Sequence, residues 1–519
     1  MRFRVISVAI AVVAAAPSAR ADLGPRQHEG RAARAVSWRG DGGWLVSAPQ
    51  RGEGTRVAAL FEATGAVALA ARGVDGSRRG HWIALAETFR EGTTRVAVAD
   101  LEDRWPAAEI RMSAGDQARV GDLGWELLTP RYPDAGRRAR EAGPAKVALA
   151  LDTTLQRIGV VSRSEWGARS TQCTSPENDW YRMAIHHTAG PQTSGGSVAA
   201  VLRSLQAYEQ DAGEYCDLPY QFMVGFDGSV YEGRPLTLYS GATGGGNNDG
   251  NLAVCFVGCY HPSGCPGGVS HQATDEMFAG AHLLIQTLTR VHDIPTTSDA
   301  IRGHRDWPGN STACPGDYVY PHLGELRADL AWYGAAESAR SYSGDALDIG
   351  VGEAADIWIE LENTGGLSWE PGEVFLATTS PRDGESPIAD PSWPQPGRAA
   401  TVSEAVPPGA VARFAFKVRA DAAGDYQQAF GLVAADGTWF ADAPWGAGPA
   451  DDALVVQIHA TPGGGPPPGG DAGVDDQPDD DGNLAGGCRA APGGGGMAWL
   501  LLLALSAVRR RNGGARSGV

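Results

Sequence analysis

The chain has no surplus of positive charge, no apolar run long enough to cross a membrane comfortably, and few aromatic residues. Lys and Arg number 43 against 61 Asp and Glu, a formal charge of −18. A nucleic acid is therefore excluded as the main partner, because phosphate recognition draws on basic surface. No apolar stretch reaches the roughly 20 residues of a spanning helix. Aromatics make up 8% and glycines number 71, which points to short strands and turns rather than long helices. What is present is enough apolar material, 43%, to build packed cores, and 519 residues, a length that suggests three or four domains.

Both ends read as addresses. Arg2 and Arg4, the apolar Val5–Ala16 and Ala19-Arg20-Ala21 form a secretory signal peptide over 1–21. Export implies an oxidising compartment where disulfides persist. Residues 461–487 are rich in Gly, Pro and Asp, with six Asp from Asp471 to Asp481, and read as a disordered linker. In 488–519, Cys488 is followed by the apolar Met497–Val508 and by Arg509-Arg510-Arg511. That order resembles the C-terminal sorting tails of myxobacterial surface proteins. The resemblance implies transient membrane association, a processing protease acting at Gly487-Cys488, and display at the cell surface or release. The other reading is a permanent anchor with its arginines on the cytoplasmic side.

The sequence predicts a multidomain chain, with a central α/β domain over 155–335 between two all-β domains. In 22–150, Trp44–Val46, Arg56–Phe61, His81–Leu85 and Arg95–Ala99 read as strands of a sandwich or barrel of unknown role. In 338–460, Ala355–Leu361 and Ala412–Val418 alternate polar and apolar residues. There Asn363-Thr364-Gly365 with Trp369 resembles the turn and tryptophan of immunoglobulin-like accessory modules. In the centre, Arg182–His187 is a candidate strand. Ser197–Gln210 has helical spacing, Asp227-Gly228 marks a hairpin, Ala253–Val257 is a buried strand, and Thr274 caps a further helix.

This central region carries a split set of metal-ligand residues. Ile185-His186-His187-Thr188 opens it; Gly303-His304-Arg305-Asp306 and Thr312-Ala313-Cys314-Pro315-Gly316 close it. Two imidazoles and one thiolate suit Zn²⁺ with a fourth position open, an arrangement found in catalysis more often than in structural sites.

Six words in order, over about 158–333, make the region resemble the zinc N-acetylmuramoyl-L-alanine amidases shared by peptidoglycan recognition proteins and phage lysozymes. They are Arg163–Arg169, Ile185–Gly190, Tyr220 with Phe222, Asp227–Arg234, Gly303–Asp306 and Thr312–Asp317. The resemblance implies Zn²⁺ held by His186, His304 and Cys314, with His187 in packing or support. It implies that Tyr220 and Thr312 are catalytic, stabilising the tetrahedral intermediate. It implies a peptidoglycan (muropeptide) substrate, cut between the lactyl group of N-acetylmuramic acid and L-alanine. Binding-only relatives lack the cysteine, so a peptidoglycan-binding surface protein that does not cut is the alternative. The chain departs from the pattern at Thr243, where many relatives have a histidine that lines the glycan groove. The interval from His304 to Cys314 is also slightly long.

Setting aside Cys314 and Cys488 leaves five cysteines. Cys259 and Cys265 bracket a turn that a bridge can close, and Cys173 with Cys216 is a second candidate pair. Cys255 would remain a buried thiol; connectivity stays open at this level.

Overall fold

The computed structural model describes residues 31–32, 37–145, 153–190, 197–263, 265, 270–342 and 345–462. The segments read as a signal peptide (1–21) and a sorting tail (488–519), and all but the first two residues of the one read as a linker (461–487), fall outside them. No helix among the described residues is long and apolar enough to cross a membrane.

The N-terminal region is one ten-stranded antiparallel sheet. Its strands are longer than the sequence suggests: Gln50–Ala63 runs 14 residues and Thr94–Ser113 runs 20. Register shifts between Arg51 and Gly54, and again between Gly54 and Arg56, interrupt this pair. Irregularities of this kind bend strands and let them continue across a curved sheet. Val57, Ala59, Ala97, Ile110, Met112 and Trp125 fill the core.

The central sheet has five strands in the order Val230–Glu232, Phe222–Val224, Asn251–Phe256, Arg182–His187, Ile301–Gly303. The hairpin edge is antiparallel and the remaining pairings are parallel. Parallel strands are buried on both faces, so they read as unbroken apolar runs. The helix Val198–Ala212 covers one face, packing Val198, Val201 and Leu202 on Met223, Ala253 and Cys255. The helix Asp275–His292 covers the other, packing Met277, Ala281 and Leu288 on Ile185, Phe222 and Val254. Thr274 caps the second helix as the sequence suggests, its side chain accepting from the N–H of Met277, and Ser197 caps the first in the same way through the N–H of Ala200.

The first helix is also fastened to the N-terminal sheet. Asp211, wholly buried, accepts from Thr88 Oγ1 at 2.7 Å and from Arg169 Nη1 at 3.1 Å, and pairs with Arg140. The Tyr208 hydroxyl donates to Glu126 at 2.6 Å.

The C-terminal region is strand-rich, with a four-stranded and a five-stranded sheet sharing one core. Ile359, Leu361, Phe414 and Val418 come from the first sheet; Phe430, Leu432, Leu454 and Val456 come from the second. Trp369 is fully buried against Phe414 and Phe440. Asn363 ties its turn together by donating to Leu367 O and Val406 O, both at 2.9 Å.

Candidate metal centre

Register alone brings the first two donors together. Ile185 pairs with Gly303 across the parallel strands, so the next residue on each chain, His186 and His304, emerges at the same sheet end. Their rings lie 4.6 Å apart between centroids. The chain then loops back, and the Arg305 N–H donates to Cys314 O at 3.1 Å. The Arg305 side chain reinforces the loop through Cys314 O at 3.3 Å and Asp317 at 2.8 Å. Gly316 must be glycine: φ is +93°, and a Cβ there would meet Tyr260 O at 2.2 Å.

His186, His304 and Cys314 thus converge, with one donor atom from each within 4.8 Å of the others and all three buried. No fourth His, Cys, Asp or Glu joins them among the described residues. Cys314 Sγ lies 3.7 Å from His186 Nδ1. Two donors about 2.0 and 2.3 Å from one tetrahedral ion sit roughly 3.6 Å apart. His304 Nε2 faces Thr243 O at 2.9 Å, while its buried Nδ1 has no hydrogen-bond partner. That orphaned nitrogen is what a ligand imidazole requires.

The electrostatics agree. Burial, then the neighbouring His304 and His187, holds His186 well below the usual imidazole range, and burial lowers His304 too. Both rings are therefore neutral, with lone pairs to give. Burial pushes the Cys314 thiol up to about 12, against the opposing pull of the His187 N–H and Arg305. A thiol so placed becomes a thiolate when a cation arrives. The His187 N–H already donates to Cys314 Sγ at 3.3 Å. His187 itself turns away, its Nδ1 accepting from the Tyr260 N–H at 3.2 Å. Donor number and type fit Zn²⁺.

Tyr220 is buried beside the cluster, its ring 5.3 Å from that of His186. Burial, then Cys255 and Cys314, raises its phenol well above the usual range, so it stays protonated and can donate. Thr312 Oγ1 accepts from the Cys314 N–H at 3.1 Å, which leaves its own proton free to donate.

Sequence reasoning missed one member. Thr243 lines no groove; it is wholly buried. Its Oγ1 lies 3.5 Å from His186 Nε2, and its carbonyl is the partner of His304. One residue thus backs both imidazoles on the nitrogens that face away from the donor cluster. Its N–H donates to Asn248 Oδ1 at 2.7 Å, which fixes the loop. The departure from the histidine pattern marked the position but not its role. Of the cysteines, Cys173–Cys216 and Cys259–Cys265 are bridged and Cys255 is a buried free thiol.

The N-acetylmuramoyl-L-alanine amidase family model matches residues 177–317. The chain is 33% identical over 177 residues to peptidoglycan-recognition protein SC2 of Drosophila melanogaster, which covers 34% of this chain and 88% of that protein. It is 32% identical over 163 residues to peptidoglycan recognition protein 1 of Rattus norvegicus, covering 31% and 83% respectively. Among solved structures, Drosophila PGRP-LB aligns over 32% of this chain and 91% of its own, at 24% identity and a TM-score of 0.27.

Proposed function

The chain belongs to the peptidoglycan recognition protein family, and from that premise we propose that it is a zinc-dependent N-acetylmuramoyl-L-alanine amidase. The observation that carries this reading is the complete His186–His304–Cys314 donor set, with Tyr220 at its side. Zn²⁺ held by these three residues would polarise the scissile carbonyl and acidify water. In the reaction the C–N bond between the lactyl carboxyl group and L-alanine breaks. The carbonyl carbon takes the hydroxyl of water and the alanine nitrogen takes the proton. The phenol of Tyr220 and the hydroxyl of Thr312 donate to the oxygen where negative charge gathers. Hydrolysis of purified wall that a chelator stops and added zinc restores tests the proposal; binding of wall without cutting would support the recognition-only reading.

Thr243 enters the same account as the residue that orients the ligands. Partners of this kind typically contribute 10–100-fold to metal affinity. Thr243→Val, close in shape but without the hydroxyl, is expected to weaken zinc binding by roughly 10-fold, at the lower end of that range because the carbonyl contact remains. Competition with a calibrated chelator measures it, and Thr243→Ser should recover the affinity.

The flanks complete the proposal. The 338–460 region serves as an immunoglobulin-like accessory module, and the two disulfides suit an exported protein. The 1–21 signal directs export. The 488–519 tail directs surface display or release after processing at Gly487-Cys488.

A further inference from the structure

The outer face of the C-terminal four-stranded sheet carries a concavity beside one tryptophan. In the strand Ala354–Asn363, Ile357, Ile359 and Leu361 point into the core, so Asp356, Trp358 and Glu360 stand on the opposite face. Their register partners are Lys417, Ala415 and Arg413 on Val411–Arg419, the edge strand of that sheet. Three rows result: an ion pair, an indole facing a methyl group, and a second ion pair. Lys417 Nζ lies 2.8 Å from Asp356, and Arg413 Nη2 donates to Glu360 at 2.7 Å. The Arg413 guanidinium also sits 4.2 Å from the centre of a Trp358 ring, which covers the indole on the Glu360 side. A cavity of about 410 Å³ lies on the other side: Trp358, Asp356, Lys417 and Ala415 line it, whereas Arg413 and Glu360 do not. Ala415 is exposed and too small to reach across the ring.

The far wall comes from the segment 392–401 and is tied to the edge strand. The Trp393 indole N–H donates to Lys417 O at 2.7 Å, and the Arg419 N–H donates to Ile388 O at 3.1 Å. Hydroxyls on this wall are already engaged: Thr401 Oγ1 donates to Val374 O at 2.8 Å, and the Ser392 side chain bonds Asp390. The polar reach into the cavity therefore belongs to Asp356 and Lys417, one acceptor and one donor. Each cation nearby has an acid at hand. Lys417 faces Asp356 with Asp390 beyond, Arg419 pairs with Asp421 at 2.9 Å, and Arg413 pairs with Glu360. None is left over for a phosphate or a sulfate. An ammonium ligand fares no better, because Arg413 already stacks on the indole and Lys417 already holds the Asp356 carboxylate.

We propose that this cavity binds a neutral glycan, with one pyranose ring lying on the open face of Trp358. A pyranose offers a flat face of C–H groups, which packs on the negative face of an indole, and a rim of hydroxyls that both donate and accept. Asp356 accepts from one hydroxyl and Lys417 donates to another; bonds to charged groups are shorter and stronger than neutral ones. A neutral ligand leaves the balanced ion pairs undisturbed. The volume falls within the roughly 300–1,000 Å³ of small-molecule sites and holds one or two sugar units. The site lies in a different sheet from the metal donors, and it stands whether or not the central domain cuts what it recognises.

Calorimetry on the full chain tests it. Chitotetraose and cellotetraose are the neutral probes. Fully deacetylated chitotetraose and a sulfated tetrasaccharide are the charged ones, and oligoproline is a peptide that also packs on aromatic side chains. At least one neutral probe should bind, more tightly than any of the other three. Trp358→Ala should weaken that binding roughly 10-fold or more, as loss of a tryptophan anchor does. Trp358→Phe, which keeps a flat ring, should recover part of it. Ala415→Leu, a change at an exposed position, should fill the space beside the ring and weaken binding too. Both sites are on the surface of the sheet, so the melting temperature should stay as it was. Binding through the central domain would survive all three changes, which tells the two sites apart. Binding of neither neutral probe, binding untouched by Trp358→Ala and Ala415→Leu, or preference for a charged probe or for oligoproline would overturn the proposal.

Discussion

Cys314→Ser is expected to give a folded protein that holds no zinc after dialysis and does not hydrolyse wall. The residue is wholly buried, and serine keeps its shape within one atom. The His187 N–H that now donates to Sγ can donate to a hydroxyl in its place. The change therefore spares packing and removes the one donor able to become a thiolate. A bound ion contributes several kcal/mol of transition-state stabilisation. At 1.36 kcal/mol per factor of ten, the rate should fall on the order of 10³-fold or more. Metal analysis, far-ultraviolet circular dichroism and release of soluble wall fragments read the three parts separately. Full activity in a zinc-free Cys314→Ser protein would rule out the ligand assignment.

Tyr220→Phe separates chemistry from metal binding. Phenylalanine preserves the ring that packs beside His186 and removes only the hydroxyl. No ligand is touched, so zinc content and thermal stability should match those of the unaltered protein. The loss of one donor aimed at developing negative charge typically costs on the order of 10²-fold in kcat. Thr312→Ala removes the second donor, together with the hydroxyl that accepts from the Cys314 N–H. It should also slow turnover, with a modest loss of metal affinity alongside. Unchanged kcat in both variants on intact wall would show that neither hydroxyl serves the transition state.

Much of the central domain is legible in the sequence because its signals are local. The strand Arg182–His187, the hairpin at Asp227-Gly228, the helix from Ser197 and the capped start at Thr274 all follow from periodicity and side-chain chemistry within a few residues. The donor set is read for a different reason: the resemblance to the amidase family picks His186, His304 and Cys314 out of eleven histidines and seven cysteines, and the fold brings those three together. Tertiary dependences are not legible. Thr243 matters because a loop folds back behind two imidazoles, and Asp211 because two regions of the chain meet at it. The 20-residue strand Thr94–Ser113 is legible only in part, because its pairing with Gln50–Ala63 runs through two register shifts that no sequence period marks.

The central claim is that this chain cuts the bond it recognises. The most direct measurement is end-group analysis of purified peptidoglycan digested by the zinc-loaded protein. The account predicts new free amino groups on L-alanine, no new reducing sugar ends, and one zinc ion per chain in the protein that produced them. Tight binding of the same wall by the zinc-loaded protein, with no alanine amino groups released, would contradict it.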